Sequence, residues 1–253
     1  MSGYKVMETI DALNVCYYDL NSLIDNSIET DNNDITLKNV FGQRYIGRGL
    51  PKKAKLKIYG TPGNDMAAYM DGAEIEVFGN SQDAVGNTMN YGKIVIHGNC
   101  GDTLGYAMRG GEIYVEGNVG YRVGIHMKEY KEMKPVIVIG GKAGDFLGEY
   151  MAGGVIILLG LNLVKGEDVI GRFCGTGMHG GVIYLNGSPD EYKFGKEIVK
   201  SVDVTDEDIL FLREHINFYK KMFNKQLDNL KIEVFSKYVA VNKNPYLNMY
   251  CTY

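Results

Sequence analysis

The sequence predicts an all-β protein: a single-stranded parallel β-helix, or β-solenoid, of about seven turns with a short N-terminal cap and a C-terminal helical extension. Three observations predict it. A glycine recurs at Gly60, Gly79, Gly98, Gly117, Gly140, Gly160 and Gly187. An apolar pair stands four and two residues before each, as Leu56/Ile58, Ile75/Val77, Ile94/Ile96, Ile113/Val115, Val136/Val138, Ile156/Leu158 and Ile183/Leu185. The intervals between the glycines are 19, 19, 19, 23, 20 and 27 residues, one unit repeated with two insertions, and a fixed period of this size marks a stacked-repeat architecture.

Two further columns define the unit. Met70, Met89, Met108, Met151 and Met178 stand nine residues before the glycine, and Gly86, Gly105, Gly148 and Gly175, with Ala67, stand twelve before it. The unit reads G-x-x-M-x-G-G-x-I-x-V-x-G-N, and by this count the fifth turn breaks the methionine column. The alternation I-x-V signals a short half-buried strand, and the glycines around it permit corners with positive φ. Burying two aliphatic side chains contributes about 3 to 6 kcal/mol per unit, whereas ordering each backbone residue costs about 1 to 2 kcal/mol. No turn is stable alone, so equivalent residues must stack in columns with parallel ladders between turns. A leucine-rich repeat lacks support because glycine stands where its leucine ladder would be, and no recurring aspartate supports a calcium-binding repeat.

Residues 1–40 mix polar and apolar signals, include the loop-like Asp31-Asn-Asn-Asp34, and read as a cap. Residues 41–190 form the solenoid, since 31 of the 33 glycines lie between Gly42 and Gly187. Residues 191–253 form a helix and tail. Thr205-Asp-Glu-Asp208 resembles a capping box and precedes Ile209, Leu212 and Ile216 at helical spacing, which predicts a helix of about four turns. The stretch from Leu230 to Tyr253 joins an extended segment at Ile232–Phe235 to Pro245 and several tyrosines, a second cap over an otherwise unpaired strand edge.

With 253 residues, 45% hydrophobic and 23% charged, the composition is that of a soluble protein. The net charge of −4 and the absence of a long basic run argue against nucleic acid as partner. The first residues lack a signal-peptide pattern, and no run of eighteen apolar residues occurs, so the expected location is cytoplasmic with no membrane segment. Cys16, Cys100, Cys174 and Cys251 are scattered without a C-x-x-C pair, which argues for reduced thiols and against a metal site or redox dithiol.

Gly175-Thr-Gly-Met-His-Gly180 fits the G-x-G-x-x-G dinucleotide fingerprint, but a strand follows where a helix should open, and the repeat itself explains the spacing. His97, His126, His179 and His215 have no metal-ligand spacing, and no two of the first three share a repeat phase. The fifth turn carries the run Tyr121-Arg122-Val-Gly-Ile-His126-Met-Lys128-Glu-Tyr130 and an insertion ending at Pro135. Irregular loops on regular stacks often carry function. One reading is a solvated bulge with snorkelling charges. The other is a binding face of Arg109, Tyr121, Arg122, His126 and Lys128 that holds an anion or an acidic partner surface. Asp102, Asp145 and Glu149 read either as the acids of a polysaccharide-cleaving β-helix or as ordinary solvated carboxylates.

The stretch Gly-Tyr-Ala-Met-Arg-Gly-Gly-Glu-Ile-Tyr-Val-Glu-Gly-Asn-Val-Gly-Tyr-Arg-Val-Gly-Ile-His-Met-Lys at 105–128 and Gly-Asp-Phe-Leu-Gly-Glu-Tyr-Met-Ala-Gly-Gly at 144–154 resemble the GXGXG domain of glutamate synthase. More narrowly, about residues 35 to 250 resemble the stand-alone proteins corresponding to the C-terminal domain of the glutamate synthase large (alpha) subunit. The tail Phe235 to Tyr246 is loosely similar to the F-x-K-V-x-P-x-x-Y ending of that large chain, with a different spacing. The resemblance implies a right-handed β-helix acting as a spacer. It places the glutaminase cysteine and the FMN and iron–sulfur centres on other domains, so it transfers no catalytic residue and no metal or cofactor to this chain. The expected role is a noncatalytic structural subunit in glutamate biosynthesis and ammonia assimilation, docking glutaminase and FMN-binding chains. A second family with the same repeated pattern is the C-type subunit of formylmethanofuran dehydrogenase, part of an assembly with tungsten or molybdenum. An independent small-anion binder or enzyme using the fifth-turn loop, and a homo-oligomer, stay open.

Overall fold

The computed structural model describes residues 8–241 apart from 162, 165 and 196–198. The start of the chain, Pro245, Cys251 and the tail beyond residue 241 lie outside the described residues. The elements are β1 (Glu8–Asp11), α1 (Tyr17–Glu29), β2 (Asp34–Phe41), β3 (Lys55–Thr61), β4 (Asp71–Phe78), β5 (Tyr91–Ile96), β6 (Glu112–Val115), β7 (Val136–Ile139), β8 (Ala152–Leu158), β9 (Gly180–Asn186), β10 (Val199–Val202), α2 (Asp206–Met222) and β11 (Phe235–Ala240). The eleven strands among the described residues form one sheet, ordered β1 to β9 and then β11 and β10. From β1 to β9 every pairing is parallel, and β11 and β10 close the far edge antiparallel. This is the β-solenoid that the repeat predicts.

Two inward columns hold the stack together. Leu56, Ile75, Ile94, Ile113, Ile137, Ile156 and Ile183 are in register, and so are Ile58, Val77, Ile96, Val115, Ile139, Leu158 and Leu185. In the fifth turn this corrects the sequence reading by one residue. Ile137/Ile139 is the inward pair, while Val136 and Val138 face out under α2. With period-2 side chains a single-residue slip exchanges the faces, and four consecutive apolar residues in β7 concealed it. Gly141 therefore takes the place assigned to Gly140; its N–H donates to Gly117 O at 2.9 Å.

The methionine column is likewise unbroken. Met127 N–H donates to Gly124 O at 3.1 Å, as Met108 donates to Gly105 O at 3.2 Å, and both side chains are buried. The insertion lies between Met127 and β7, so counting back from the glycine missed it. Four of the methionine ends pack on a glycine of the following turn: the methyls of Met70, Met89, Met127 and Met151 occupy the space that a Cβ on Gly92, Gly111, Gly154 and Gly181 would need.

The ladder also extends further toward the N-terminus than the glycines. Ile35 and Leu37 of β2 pair with Leu56 and Ile58, and β1 pairs with β2 across α1, whose Leu20 and Ile24 join the core. A register shift between Leu37 and Val40 stands where the glycine mark would be.

Thr205 caps α2 in a capping box with Asp208, as the sequence predicts. The helix lays Leu212, Ile216 and Tyr219 on the outward residues Val95, Tyr114, Val138, Ile157 and Tyr184. Outside its reach those positions are charged, as at Lys57 and Glu76, and Lys55–Glu74 and Lys93–Glu112 pair across turns at 3.0 Å each. Among the described residues no helix is long and apolar enough to cross a membrane.

Candidate functional site

The corner before each strand positions the candidate residues. Three residues per turn there have left-handed φ. The middle column, with Gly86, Gly105 and Gly124, faces inward: a Cβ on Gly86 would lie 2.6 Å from Ile113 Cδ1. The flanking columns carry side chains in the same strained backbone. One holds Asp65, Ala84, Thr103, Arg122, Phe146 and Phe173; the other holds Tyr69, Thr88, Ala107, His126 and Tyr150, all at φ between 50 and 62°. Such residues bear a cost that glycine would not, and each flanking column stacks into a ladder.

In the first ladder Arg122 lies over the Phe146 ring at 4.8 Å, and Phe146 stacks on Phe173 at 4.9 Å and 19°. Arg122 Nε also donates to Glu149 Oε2 at 3.0 Å. In the second, His126 stacks on Tyr150 at 5.3 Å and 10°, with Tyr106 edge-on at 6.0 Å. The Tyr150 ring also lies close to Gly177, where a Cβ would strike it. Arg109 and Lys128 occupy one column on consecutive turns, donating backbone N–H groups to Met89 O at 2.9 Å and Met108 O at 3.0 Å. Both are exposed, and among the described residues neither side chain makes an ion pair. Tyr121 is 52% exposed, and its N–H donates to Asp102 Oδ1 at 2.8 Å. The five sequence candidates therefore sit on one corner of adjacent turns. Phe146, Tyr150 and Phe173 join them. Reading 24- and 27-residue intervals from the buried Met127 rather than from the glycine would have found these three.

The candidate acids have structural roles. Asp83, Asp102 and Asp145 each accept the N–H of the next turn, from Asp102, Tyr121 and Arg172, at 2.8 to 2.9 Å. Asn80, Asn99 and Asn118 form a parallel ladder, accepting from Asn99, Asn118 and Lys142 at 2.7 to 3.0 Å. This is the physical content of the asparagine in the repeat. Glu149 is buried against Arg122.

The other polar candidates lie apart. His97 pairs with Glu76 at 2.9 Å and stacks on Phe78, and His215 is buried on the inner side of α2 beside Tyr114. Burial pushes the Cys100 and Cys174 thiols up to about 12, which removes them as nucleophiles. Gly175 to Gly180 leads directly into β9, so the fingerprint-like spacing is a solenoid corner. Among the described residues no three His, Cys, Asp or Glu side chains form a group able to hold a metal ion.

Fold and corner together define a glycine-cornered β-solenoid with side-chain ladders on one exposed ridge. The chain belongs to the GXGXG motif family, which it matches over residues 23–244. It is 45% identical over 252 residues to an uncharacterized protein of Methanocaldococcus jannaschii, covering 95% of each chain. Among solved structures it is similar to a chain of the formyltransferase/hydrolase complex (FhcABCD) from Methylorubrum extorquens in complex with methylofuran, with a TM-score of 0.61, 20% identity and 86% of each chain covered. At that identity the likeness is one of fold.

Proposed function

We propose that this chain is a noncatalytic structural subunit of a glutamate synthase type assembly. It docks separate glutaminase and FMN-binding chains in the cytoplasm, with FMN and iron–sulfur centres on those partners. The observation that carries this reading is the use of the chain's carboxylates: Asp102 and Asp145 bind backbone of the next turn and Glu149 binds Arg122. Membership of the GXGXG family and the matched stretches at 105–128 and 144–154 support it. A tagged chain isolated from its native cells should bring down glutaminase-like and FMN-binding chains, identified by mass spectrometry and a flavin spectrum. Recovery of neither companion at micromolar concentration would end this reading.

A second reading is supported by the structural likeness to a chain of the FhcABCD complex. The chain would then be a scaffold like the C-type subunit of formylmethanofuran dehydrogenase, and the same isolation would recover a molybdopterin-binding chain in place of the flavin chain.

A further inference from the structure

We propose that the corner ridge of the fourth to seventh turns is the docking surface for a segment of another protein chain that presents carboxylates among apolar side chains. This rests on the scaffold reading and names the face and chemistry through which the partner is held.

The orientation of the rings favours such an occupant. Both faces of Phe146 are covered, by Arg122 at 4.8 Å and Phe173 at 4.9 Å, and one face of Tyr150 is covered by His126 at 5.3 Å, with the backbone of Gly177 close to the ring. Stacking along the solenoid axis leaves ring edges as the exposed parts, and Tyr150 and Phe173 remain 44% and 49% exposed. An aromatic edge carries the positive part of the ring quadrupole, so it attracts carboxylate oxygens and the faces of partner rings. Nucleobases need open ring faces on which to stack, as do sugar rings, and the covered rings here offer few.

The distribution of charge favours it as well. Arg109 and Lys128 are exposed like charges on consecutive turns, about 5 Å apart at the backbone by sheet spacing. Like charges directly opposite across a ladder are unfavourable. Within a sheet column the chain avoids this by alternating sign, as in Lys55–Glu74 and Lys93–Glu112. The carboxylates nearest the ridge are already committed: Glu149 to Arg122, Asp102 and Asp145 to backbone N–H groups, and Glu129 to Gly154 N–H at 3.0 Å. The ridge thus presents ring edges and, at its rim, Arg109 and Lys128, which make no ion pair among the described residues. Arginine and tyrosine are also the residue types that dominate binding energy where proteins meet.

A photo-crosslinking residue at Thr103, one turn before Arg122 in its column, tests this in the full-length tagged chain in its native cells, with the same residue at Lys57 on the open sheet face for comparison. The expected result is a crosslink from position 103 to another chain, within a peptide carrying aspartate or glutamate. Arg109→Glu with Lys128→Glu should reduce its yield at least tenfold, and Arg109→Lys with Lys128→Arg should retain it. Both side chains are exposed, so an unchanged thermal midpoint shows that the reversed variant still folds. Companion chains that co-purify but crosslink only from position 57 overturn the ridge and leave the scaffold reading standing. Crosslinks from position 103 to nucleic acid, or solely to a second copy of this chain, overturn the proposed occupant. If no companion co-purifies and neither position crosslinks, both readings fall.

Discussion

The Tyr114 hydroxyl lies 2.7 Å from His215 Nδ1 and 2.9 Å from Glu112 Oε2, so a single oxygen links a solenoid strand to a helix 101 residues further along the chain. Burial holds the His215 imidazole below its ordinary value, Lys93 and Lys134 act in the same direction, and Glu112 and Glu214 oppose them. Between the ordinary value near 6.5 and the lowered folded value, the unfolded chain binds the extra proton. Stability from this group is therefore complete above about pH 6.5 and is lost as pH falls through that window. Thermal midpoints should decline below pH 6.5 in the native chain and decline less in His215→Phe. Tyr114→Phe should cost about 1 to 3 kcal/mol at pH 8 by leaving the buried imidazole nitrogen unpaired. Equal pH slopes for the native chain and His215→Phe would contradict the assignment.

Asp208 responds at lower pH. Burial works to raise its carboxyl, but Lys237, Tyr184 and the Thr205 cap outweigh that and hold it at about 2. Lys237 Nζ lies 2.7 Å from the carboxylate and Tyr184 Oη donates to it at 2.5 Å. A depressed folded value means that the contribution is full above about pH 4 and vanishes as pH falls toward 2. Asp208→Asn should cost about 2 kcal/mol at pH 7 and flatten the acid limb of the stability profile. Chemical denaturation at a series of pH values would show this.

Gly111 has φ of 82°, and a Cβ there would meet the Met89 methyl and lie 2.8 Å from Gly92 O. Gly111→Ala should cost about 2 to 4 kcal/mol, combining left-handed strain with overpacking. Met89→Ala opens space for the new methyl, so the double variant should lose measurably less than the sum of the two single losses in a double-mutant cycle. Strict additivity would show that the two residues do not share that space.

Asn99 accepts Asn118 N–H at 2.7 Å while its own N–H donates to Asn80 at 2.8 Å. Asn99→Ala should cost about 1 kcal/mol. Asn99→Asp should be close to neutral at pH 7, because Asp102 performs the same task one column away. Urea midpoints of the two variants separate a role for the acceptor oxygen from one for bulk alone.

Much of the stack was legible because its columns are chemically uniform. The I-x-V pairs read as strands, and the Thr205 to Asp208 signal located the start of α2. Legibility failed where uniformity did. In β7 the run Val136-Ile-Val-Ile139 has no alternation, so the inward pair was read one residue early. In β2 a register shift replaces the glycine mark, so its rung was read as part of a cap. The loop-bearing fifth turn drew attention to Arg122 and His126, but their ring partners were out of view. Phe146, Tyr150 and Phe173 lie 20 to 51 residues from them in sequence and join them only when the turns stack.

The sequence by itself determined a stacked β-solenoid, because a unit that buries two aliphatic side chains cannot offset the ordering of some nineteen residues and must pair with its neighbours. It also determined that glycines mark the corners beside the strands, where positive φ is needed. Only the tertiary structure decided the two outer columns of the corner and the sheet face that α2 covers. The outer columns have the same left-handed backbone as the glycines but point to solvent. Core packing therefore imposes no residue type there, and only the stacking of one turn on the next brings Arg122, His126 and their rings into a single ridge.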